Sequence, residues 1–300
     1  MAHGPLPSLP PRPVDGHKGT FGTVCVIGGQ ANAPHVMIGG PAFTATAALR
    51  AGAGLAVLAV PEPLVPAAIT IAPSATGLAL PTDSDGNLLP SQVAALLDEH
   101  LPKYDCVAVG PGLGDGPAQQ QIVTRLVGRE QPAMVIDADA LNALARVARF
   151  QSDFRVPAVL TPHPGEYARL AQAVGLDHDL VGPDARSHAA QSLAQRIGCV
   201  VVLKGAGTVV SDGLNTWTNT TGNPALATAG TGDVLTGVIA GLIAQFASVQ
   251  GGPLGLYDCA RLGVYAHGLA ADRWRDAHAD ASLLAEDLLR ELPDAVASLR

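Results

Sequence analysis

The chain has 300 residues, 48% of them hydrophobic and 4% aromatic, with a formal net charge of −8. That much apolar material can bury a large core, as one α/β domain or two smaller ones, built from Ala, Val, Leu and Ile rather than from rings. The negative balance counts against a nucleic-acid-binding surface, and every apolar run is broken by Gly, Pro or charge before it reaches membrane-span length.

No basic and apolar leader pattern is visible at the start of the chain. The four cysteines, Cys25, Cys106, Cys199 and Cys259, show no close pairing. Three lie in strand-like runs and read as buried thiols, which fits a soluble cytoplasmic protein.

In chain order, the Pro-rich residues 5–13 read as an extended arm within a segment 1–17. Thr23 to Ile27 reads as a strand that ends at Gly28-Gly29. Strand, glycines and helix form the grammar of a nucleotide-binding crossover unit, but the spacing is not Gly-x-Gly-x-x-Gly. A helix is expected from about Pro41 to Arg50, ended by Gly52-Ala53-Gly54. Leu55 to Val60 is apolar throughout, as strands buried on both faces of a parallel sheet are. The region from Ala67 to Leu80 reads as a short helix and strand, and Ser91 to His100 as an amphipathic helix.

The alternation continues. Strands are expected at Cys106–Val109, Ala133–Ile136, Ala158–Leu160 and Val200–Leu203. Helices are expected at Gln119–Leu126 and Ala185–Ile197. Thr208–Asp212 and Asn215–Thr218 read as a hairpin. Three helices follow, from about Thr231, from Leu256 to Trp274, and from Leu284 to Leu292. No composition break or fixed-period repeat divides this pattern. The expected fold is therefore a single doubly wound α/β domain, residues 18–300, with a mostly parallel sheet flanked by helices. Ligands of such sheets lie beyond the carboxyl ends of the strands, where the unusual loops of this chain fall.

The loop Asn223 to Asp233 is the most distinctive of these. Gly230-Thr231-Gly232 opening a helix offers backbone N–H groups and the positive end of the dipole to an anion. Asp233 at the same end could take a proton from a hydroxyl attacking phosphorus. A plain helix start with an acidic first turn reads equally well. Lys204-Gly205-Ala206-Gly207-Thr208 suits a phosphate tail or an adenosine ribose, or else is a turn between edge strands; it is not a Walker A loop. His163, between two prolines and three residues from Glu166, could orient a substrate or simply start a helix. Asp137 and Asp139 could be a metal pair, with Asp139 equally placed as an N-cap and Asn142 facing the same cleft. His267 and Asp272 read as a solvated helix face.

Taken together and in order, these loops resemble one family. The segments are Lys18-Gly19-x-x-Gly22 with Val26-Ile27-Gly28-Gly29, Ala47-Ala48-Leu49-Arg50-Ala51-Gly52-Ala53-Gly54, Gly110-Pro111-Gly112-Leu113-Gly114, Asp137-Ala138-Asp139-Ala140-Leu141-Asn142, Thr161-Pro162-His163-Pro164-Gly165-Glu166, Leu203-Lys204-Gly205 and Gly230-Thr231-Gly232-Asp233-Val234-Leu235. They are similar to those of the ADP-dependent NAD(P)H-hydrate dehydratases of the ribokinase-like superfamily. Departures are Ala229 and Ala225 where glycine is usual, and Gly39-Gly40-Pro41-Ala42 where Gly-Ala usually precedes the helix.

The resemblance implies a repair enzyme that uses ADP to dehydrate (6S)-NAD(P)H hydrate, yielding AMP, phosphate and NAD(P)H. It implies Asp233 as the base. The adenine nucleotide would be held by Lys204, Gly205, Ala206, Gly207, Thr208, Gly230, Thr231 and Gly232, and the hydrated cofactor by Gly40, Pro41, Gly112, His163 and Asp233. Mg²⁺ would accompany the nucleotide, with ligands not implied. Members assemble as homo-oligomers, commonly tetramers. The epimerase domain fused in some relatives has no room beside the dehydratase domain in 300 residues, so epimerisation is expected of another protein. The alternatives are an ATP-dependent kinase of the same superfamily acting on a vitamin-precursor alcohol, and a nucleotide sensor without turnover.

Overall fold

Nine strands form one sheet in the order β3-β2-β1-β4-β5-β6-β7-β8-β9 in a computed structural model that describes residues 5–176, 180, 184–247 and 252–300. The strands are β1 (Thr23–Ile27), β2 (Leu55–Pro61), β3 (Thr76–Leu80), β4 (Cys106–Val109), β5 (Ala133–Ile136), β6 (Ala158–Leu160), β7 (Val200–Leu203), β8 (Val209–Ser211) and β9 (Thr216–Thr218). All neighbours from β3 to β7 are parallel, and β7, β8 and β9 pair antiparallel at one edge. The apolar runs of β4 to β7 are buried at every residue, as strands covered on both faces require.

Strand alternation divides the core in two. Val24, Val26, Leu58 and Val135 point to one face, under α1 (Gly39–Arg50), α8 (Thr231–Phe246), α9 (Leu256–Ala277) and α10 (Ala285–Ala297). Cys25, Ile27, Val107 and Ile136 point to the other, under α3 (Pro90–His100), α4 (Pro117–Val127), α5 (Ala138–Ala145), α6 (Pro164–Ala173) and α7 (Ala185–Ile197). The short α2 (Val65–Ile71) packs beside β2 and β3. This is the doubly wound architecture expected. All four cysteines are buried and free. No helix among the described residues is long and apolar enough to cross a membrane.

The chain winds outward from β1 to β3, then returns to β4 on the other side of β1. The loops after β1 and β4 therefore diverge at the switch point, where such sheets open a crevice. Gly28 and Gly110 line it because nothing larger fits. A Cβ on Gly28 would strike the Pro111 carbonyl, and one on Gly110 would strike the Asp137 carbonyl.

α8 is the central element of its face. It is buried almost all round, so its residues are apolar on every side rather than on one stripe. It lies against α1 through Gly237 and Gly241. A Cβ on Gly237 would overlap the Thr44 carbonyl, and one on Gly241 would come within 2.6 Å of the Ala48 carbonyl.

Several boundaries differ by one to a few residues from expectation, and two have a clear cause. α1 begins at Gly39 rather than Pro41, because Pro41 falls in the first turn, where no N–H is needed. α10 continues through Pro293 to Ala297 rather than stopping at Leu292. Leu288, Leu289, Leu292, Ala295 and Val296 continue one buried stripe past the proline. The described part of the arm lies on the domain. Leu9 is buried and donates its N–H to the Leu299 carbonyl at 2.7 Å, and Arg12 reaches the Gly52 carbonyl at 2.7 Å.

Candidate active site

The first intrahelical bond of α8 runs from the Val234 N–H to the Gly230 carbonyl. The amides of Thr231, Gly232 and Asp233 precede it and so point out of the helix end. Gly230 turns the chain in with φ of 90°, and a Cβ there would crowd Ala285 and Phe43. Three side chains hold this turn. The Thr231 hydroxyl donates to the Leu226 and Thr228 carbonyls, both at 2.9 Å. His267 of α9 lies 2.8 Å from the Thr231 carbonyl. Asp272 accepts from the Gly222 N–H and the Asn223 amide at 2.8 and 3.0 Å.

His267 and Asp272 thus do not form the solvated face expected of them. His267 is buried, and burial pushes its pKa down to about 4. The neutral ring must carry its proton on Nε2, because a carbonyl can only accept. No local pattern marks these residues. Their partners lie some 36 to 50 positions away in the chain. The Thr231 side chain is likewise committed inward, so what it offers a ligand is its backbone N–H.

Asp233 points across to α1. A Cβ on Gly40 would lie 3.2 to 3.3 Å from the Asp233 carboxylate atoms, so the carboxylate rests on bare backbone at the α1 start. Thr44 ties the two helices by donating to the Gly40 and Asp233 carbonyls at 3.0 Å each. Burial raises the Asp233 pKa to about 7, and the nearby Asp137 adds to the rise while Lys204 opposes it.

Lys204, at the end of β7, is the cation of the site. Its ammonium is 2.7 Å from Asp137 and 3.9 Å from Glu166, and it lies beside Gly232. Burial disfavours its charge, but Asp137 and Glu166 outweigh burial and raise its pKa. Asp137 is buried and would resist ionisation. The Lys204 ammonium and the Thr236 hydroxyl, donating at 2.7 Å, keep its pKa below the usual value.

Asp137 is therefore an ion-pair partner, not half of a metal pair. Asp139 is not the N-cap of α5 either. Asp137 holds that position, and Asp139 accepts the Gly114 N–H at 2.8 Å, which shapes the loop after β4. Asn142 accepts from Arg169 at 2.9 Å and also bonds the Asp139 carboxylate. Among the described residues no group of three or more His, Cys, Asp or Glu side chains is placed to hold a metal.

His163 caps α6. Its Nδ1 accepts from the Gly165 and Glu166 amides at 3.0 and 3.3 Å, while the Glu166 carboxylate takes the His163 N–H at 2.8 Å. The helix-start reading is thus seen, and the ring still borders the Lys204 cluster. Burial, with Lys204 and Arg169, holds its pKa down, so it stays neutral with its proton on Nε2. Glu166 is raised to about 7 by burial, although Lys204 opposes the rise. The sequence pointed to Glu166 only through its neighbour; its low exposure was not visible there.

The remaining residues fall in two groups. Gly112, with φ of 57°, carries the loop after β4 past Met37, and a Cβ on it would be 3.8 Å from Pro41. Gly205 to Thr208 form an exposed turn in which Thr208 donates to the Gly205 carbonyl at 3.0 Å. Arg186 braces that turn through the Leu203 and Lys204 carbonyls at 3.0 and 3.1 Å, and a Cβ on Gly205 would strike its guanidinium. Gly40, Pro41, Gly112, Asp233, Gly232 and Lys204 thus meet at one cleft. Ala206 and Gly207 stand at its outer edge.

A doubly wound sheet with a glycine-rich helix start, an acid and a lysine at one cleft defines a ribokinase-like scaffold. The chain belongs to the NAD(P)H-hydrate dehydratase family, whose model matches residues 24–294. It is 33% identical to the ADP-dependent (S)-NAD(P)H-hydrate dehydratase of Bacillus subtilis, over 95% of this chain and 93% of that one. It is 41% identical to the bifunctional NAD(P)H-hydrate repair enzyme Nnr of Moorella thermoacetica, over 95% of this chain but 51% of that protein. The chain thus spans about half the length of its bifunctional relatives. A crystal structure of the ADP/ATP-dependent NAD(P)H-hydrate dehydratase of Bacillus subtilis, co-crystallised with ATP and Mg²⁺, superposes with a TM-score of 0.77. It is 30% identical and covers 98% of this chain and 95% of that one.

Proposed function

We propose that the chain dehydrates (6S)-NAD(P)H hydrate with ADP as phosphoryl donor, releasing AMP and phosphate and restoring NAD(P)H. The observation that carries this is Asp233. Its carboxylate rests on Gly40 where the starts of α1 and α8 meet, its pKa is raised to about 7, and Lys204 lies beside it. An acid so poised holds and releases a proton near neutral pH.

In this reading the Gly230, Thr231 and Gly232 backbone receives the terminal phosphoryl group of ADP at the positive end of α8. Lys204 neutralises charge on it, and the turn from Gly205 to Thr208 borders the rest of the nucleotide. Asp233 takes the proton of the C6 hydroxyl as its oxygen bonds to phosphorus and AMP departs. The C6–O bond then breaks, phosphate leaves and C5 loses a proton, which restores the ring double bond. Gly40, Pro41, Gly112 and His163 border the hydrated ring. The glycines let it lie against backbone, and neutral His163 offers an Nε2–H donor.

Mg²⁺ accompanying the nucleotide would supply charge neutralisation on its phosphates. Asp137, the most buried carboxylate here, is engaged by Lys204 and Thr236, so the donor set does not fit a metal caged by side chains. A magnesium ion commonly keeps waters and phosphate oxygens instead.

We further read residues 18–300 as the dehydratase domain and 1–17 as an arm. We read a cytoplasmic setting, supported by four buried free thiols. We also read a homotetramer; apolar Ile69 and Ile71, 38% and 47% exposed beside the edge strand β3, offer a contact surface between copies. The functional partner is an activity that interconverts the C6 epimers of the substrate.

The test is a repair assay with hydrated NADH and hydrated NADPH, each with ADP and with ATP. Recovery of the reduced-nicotinamide absorbance is expected, faster with ADP. No recovery, with phosphorylation of a small alcohol in its place, would overturn the reading in favour of a kinase.

A further inference from the structure

A cavity of about 690 Å³ opens between α5 and α6, lined among others by Asp115, Asn142, Arg146, Arg169 and Gln172. A second, of about 500 Å³, is lined by Met37, Gly114, Asp115 and Asp139 with the segment from Pro34 to Val36. The two adjoin at Asp115, as a trough in two parts. The second cavity reaches the cleft, because a Cβ on Gly112 would lie 3.2 Å from Met37 and 3.8 Å from Pro41. The first borders the His163 turn through Arg169. Arg169 comes within 3.7 Å of a Cβ on Gly165, in the His163 turn.

We propose that this trough seats the distal half of the hydrated dinucleotide, with Arg146 and Arg169 binding one of its phosphate groups. The inference rests on the dehydratase reading. The reacting ring lies at Asp233 and Gly40, and a dinucleotide is much longer than that cleft. Its phosphates are anions approaching a chain of net charge −8, and they need local cations.

The trough supplies two of the right kind. Arg169 is steadied by its Nε bond to the neutral amide of Asn142 at 2.9 Å, and its charge also acts on Glu166, whose raised pKa it helps to lower. Its guanidinium lines the cavity. Arg146 is paired with Asp115 and keeps further donors on its fork. Planar guanidinium groups bind phosphate through paired hydrogen bonds, which ammonium groups do not. The phosphate is either the pyrophosphate bridge or the 2′-phosphate of the hydrated NADPH.

Steady-state kinetics of Arg146→Gln and Arg169→Gln with hydrated NADH and hydrated NADPH distinguish these. Each change is expected to raise KM about tenfold, the value of one charge-assisted contact, with kcat within about twofold. A rise confined to hydrated NADPH assigns the 2′-phosphate, and an equal rise with both substrates assigns the pyrophosphate. Arg169→Lys should recover only part of the loss, and the affinity for ADP should stay unchanged, which reports an intact fold. An unchanged KM for both substrates in variants of an active protein overturns the trough assignment alone. A wild-type chain that leaves both hydrates unconverted overturns the dehydratase reading and this inference with it.

Discussion

Asp233 is held by opposing influences. Burial and the neighbouring Asp137 favour its neutral form, while Lys204 favours its charge, and the result is a pKa raised to about 7. Replacing it with Asn keeps the shape and removes the base. Asp233→Asn is expected to lower kcat by about 10² to 10⁴, with ADP affinity retained by titration calorimetry. Retained turnover would mean that the proton goes elsewhere.

The same pKa sets a pH profile. The base is competent when ionised, so kcat/KM should rise as pH increases through about 7 and level above it. A second group, Glu166, is also raised to about 7, so the ascending limb in the wild type is a property of both. Glu166→Gln should leave a limb of one proton, measured as a log–log slope falling toward one. A profile flat from pH 5 to 9 would count against Asp233.

Lys204 belongs to this scale as well. It pairs with Asp137, which is almost fully buried. Lys204→Met leaves that carboxylate without its cation, and stability measured in denaturant should fall by about 3 kcal/mol. The double variant Lys204→Met with Asp137→Leu should regain part of that loss, because no unpaired charge remains. Turnover should not return.

At the scale of elements, the site depends on how closely α1 and α8 approach. Gly237 faces the Thr44 carbonyl, and Thr44 in turn bonds the Gly40 and Asp233 carbonyls. A methyl group at 237 must push the helices apart, with an overpacking cost of about 1 to 3 kcal/mol. Gly237→Ala should therefore lower the denaturation midpoint. It should also reduce kcat more than Ala48→Gly, a change on the same contact further from Asp233. Equal kcat in both variants would show that the helix spacing does not set the Asp233–Gly40 contact.

α9 acts on the same turn from behind. His267 donates to the Thr231 carbonyl, and burial keeps its ring neutral. The strand and helix boundaries along this scale were largely legible from the sequence. β4, β5, β6, β7 and α7 fall where the apolar runs and their flanking breakers place them. α10 ends later than expected because its buried stripe runs past Pro293.

For the whole molecule, the raised carboxylates make stability depend on pH. Asp233 and Glu166 bind protons more tightly in the folded chain than in the unfolded one, where carboxyls titrate near 4. Between about pH 4 and 7 the folded state therefore holds more protons, and stability falls as pH rises through that window. Asp233→Asn should then stabilise the protein at pH 8, by roughly 1 kcal/mol once screening at a partly open site is allowed for, and should have little effect at pH 4. Thermal melts at the two pH values check the sign. A variant less stable at pH 8 would contradict it.

Much of this protein is determined by sequence alone. Apolar runs bounded by glycine and proline specify a parallel α/β sheet, since only strands covered on both faces read that way. The order of the strand-end motifs specifies the family, and Gly230-Thr231-Gly232-Asp233 marks a helix start beside an acid. Only the tertiary structure decided what that acid is. Its proton affinity comes from burial and from Asp137 and Lys204, which stand 96 and 29 residues away in the chain and meet it across three strand ends. The bare backbone at Gly40 on which it rests, the partner of Lys204 and the buried hold of His267 on Thr231 are all long-range pairings. A local pattern carries side-chain chemistry, but electrostatics at a site depends on distance in space, and that is settled when the sheet closes over its two cores.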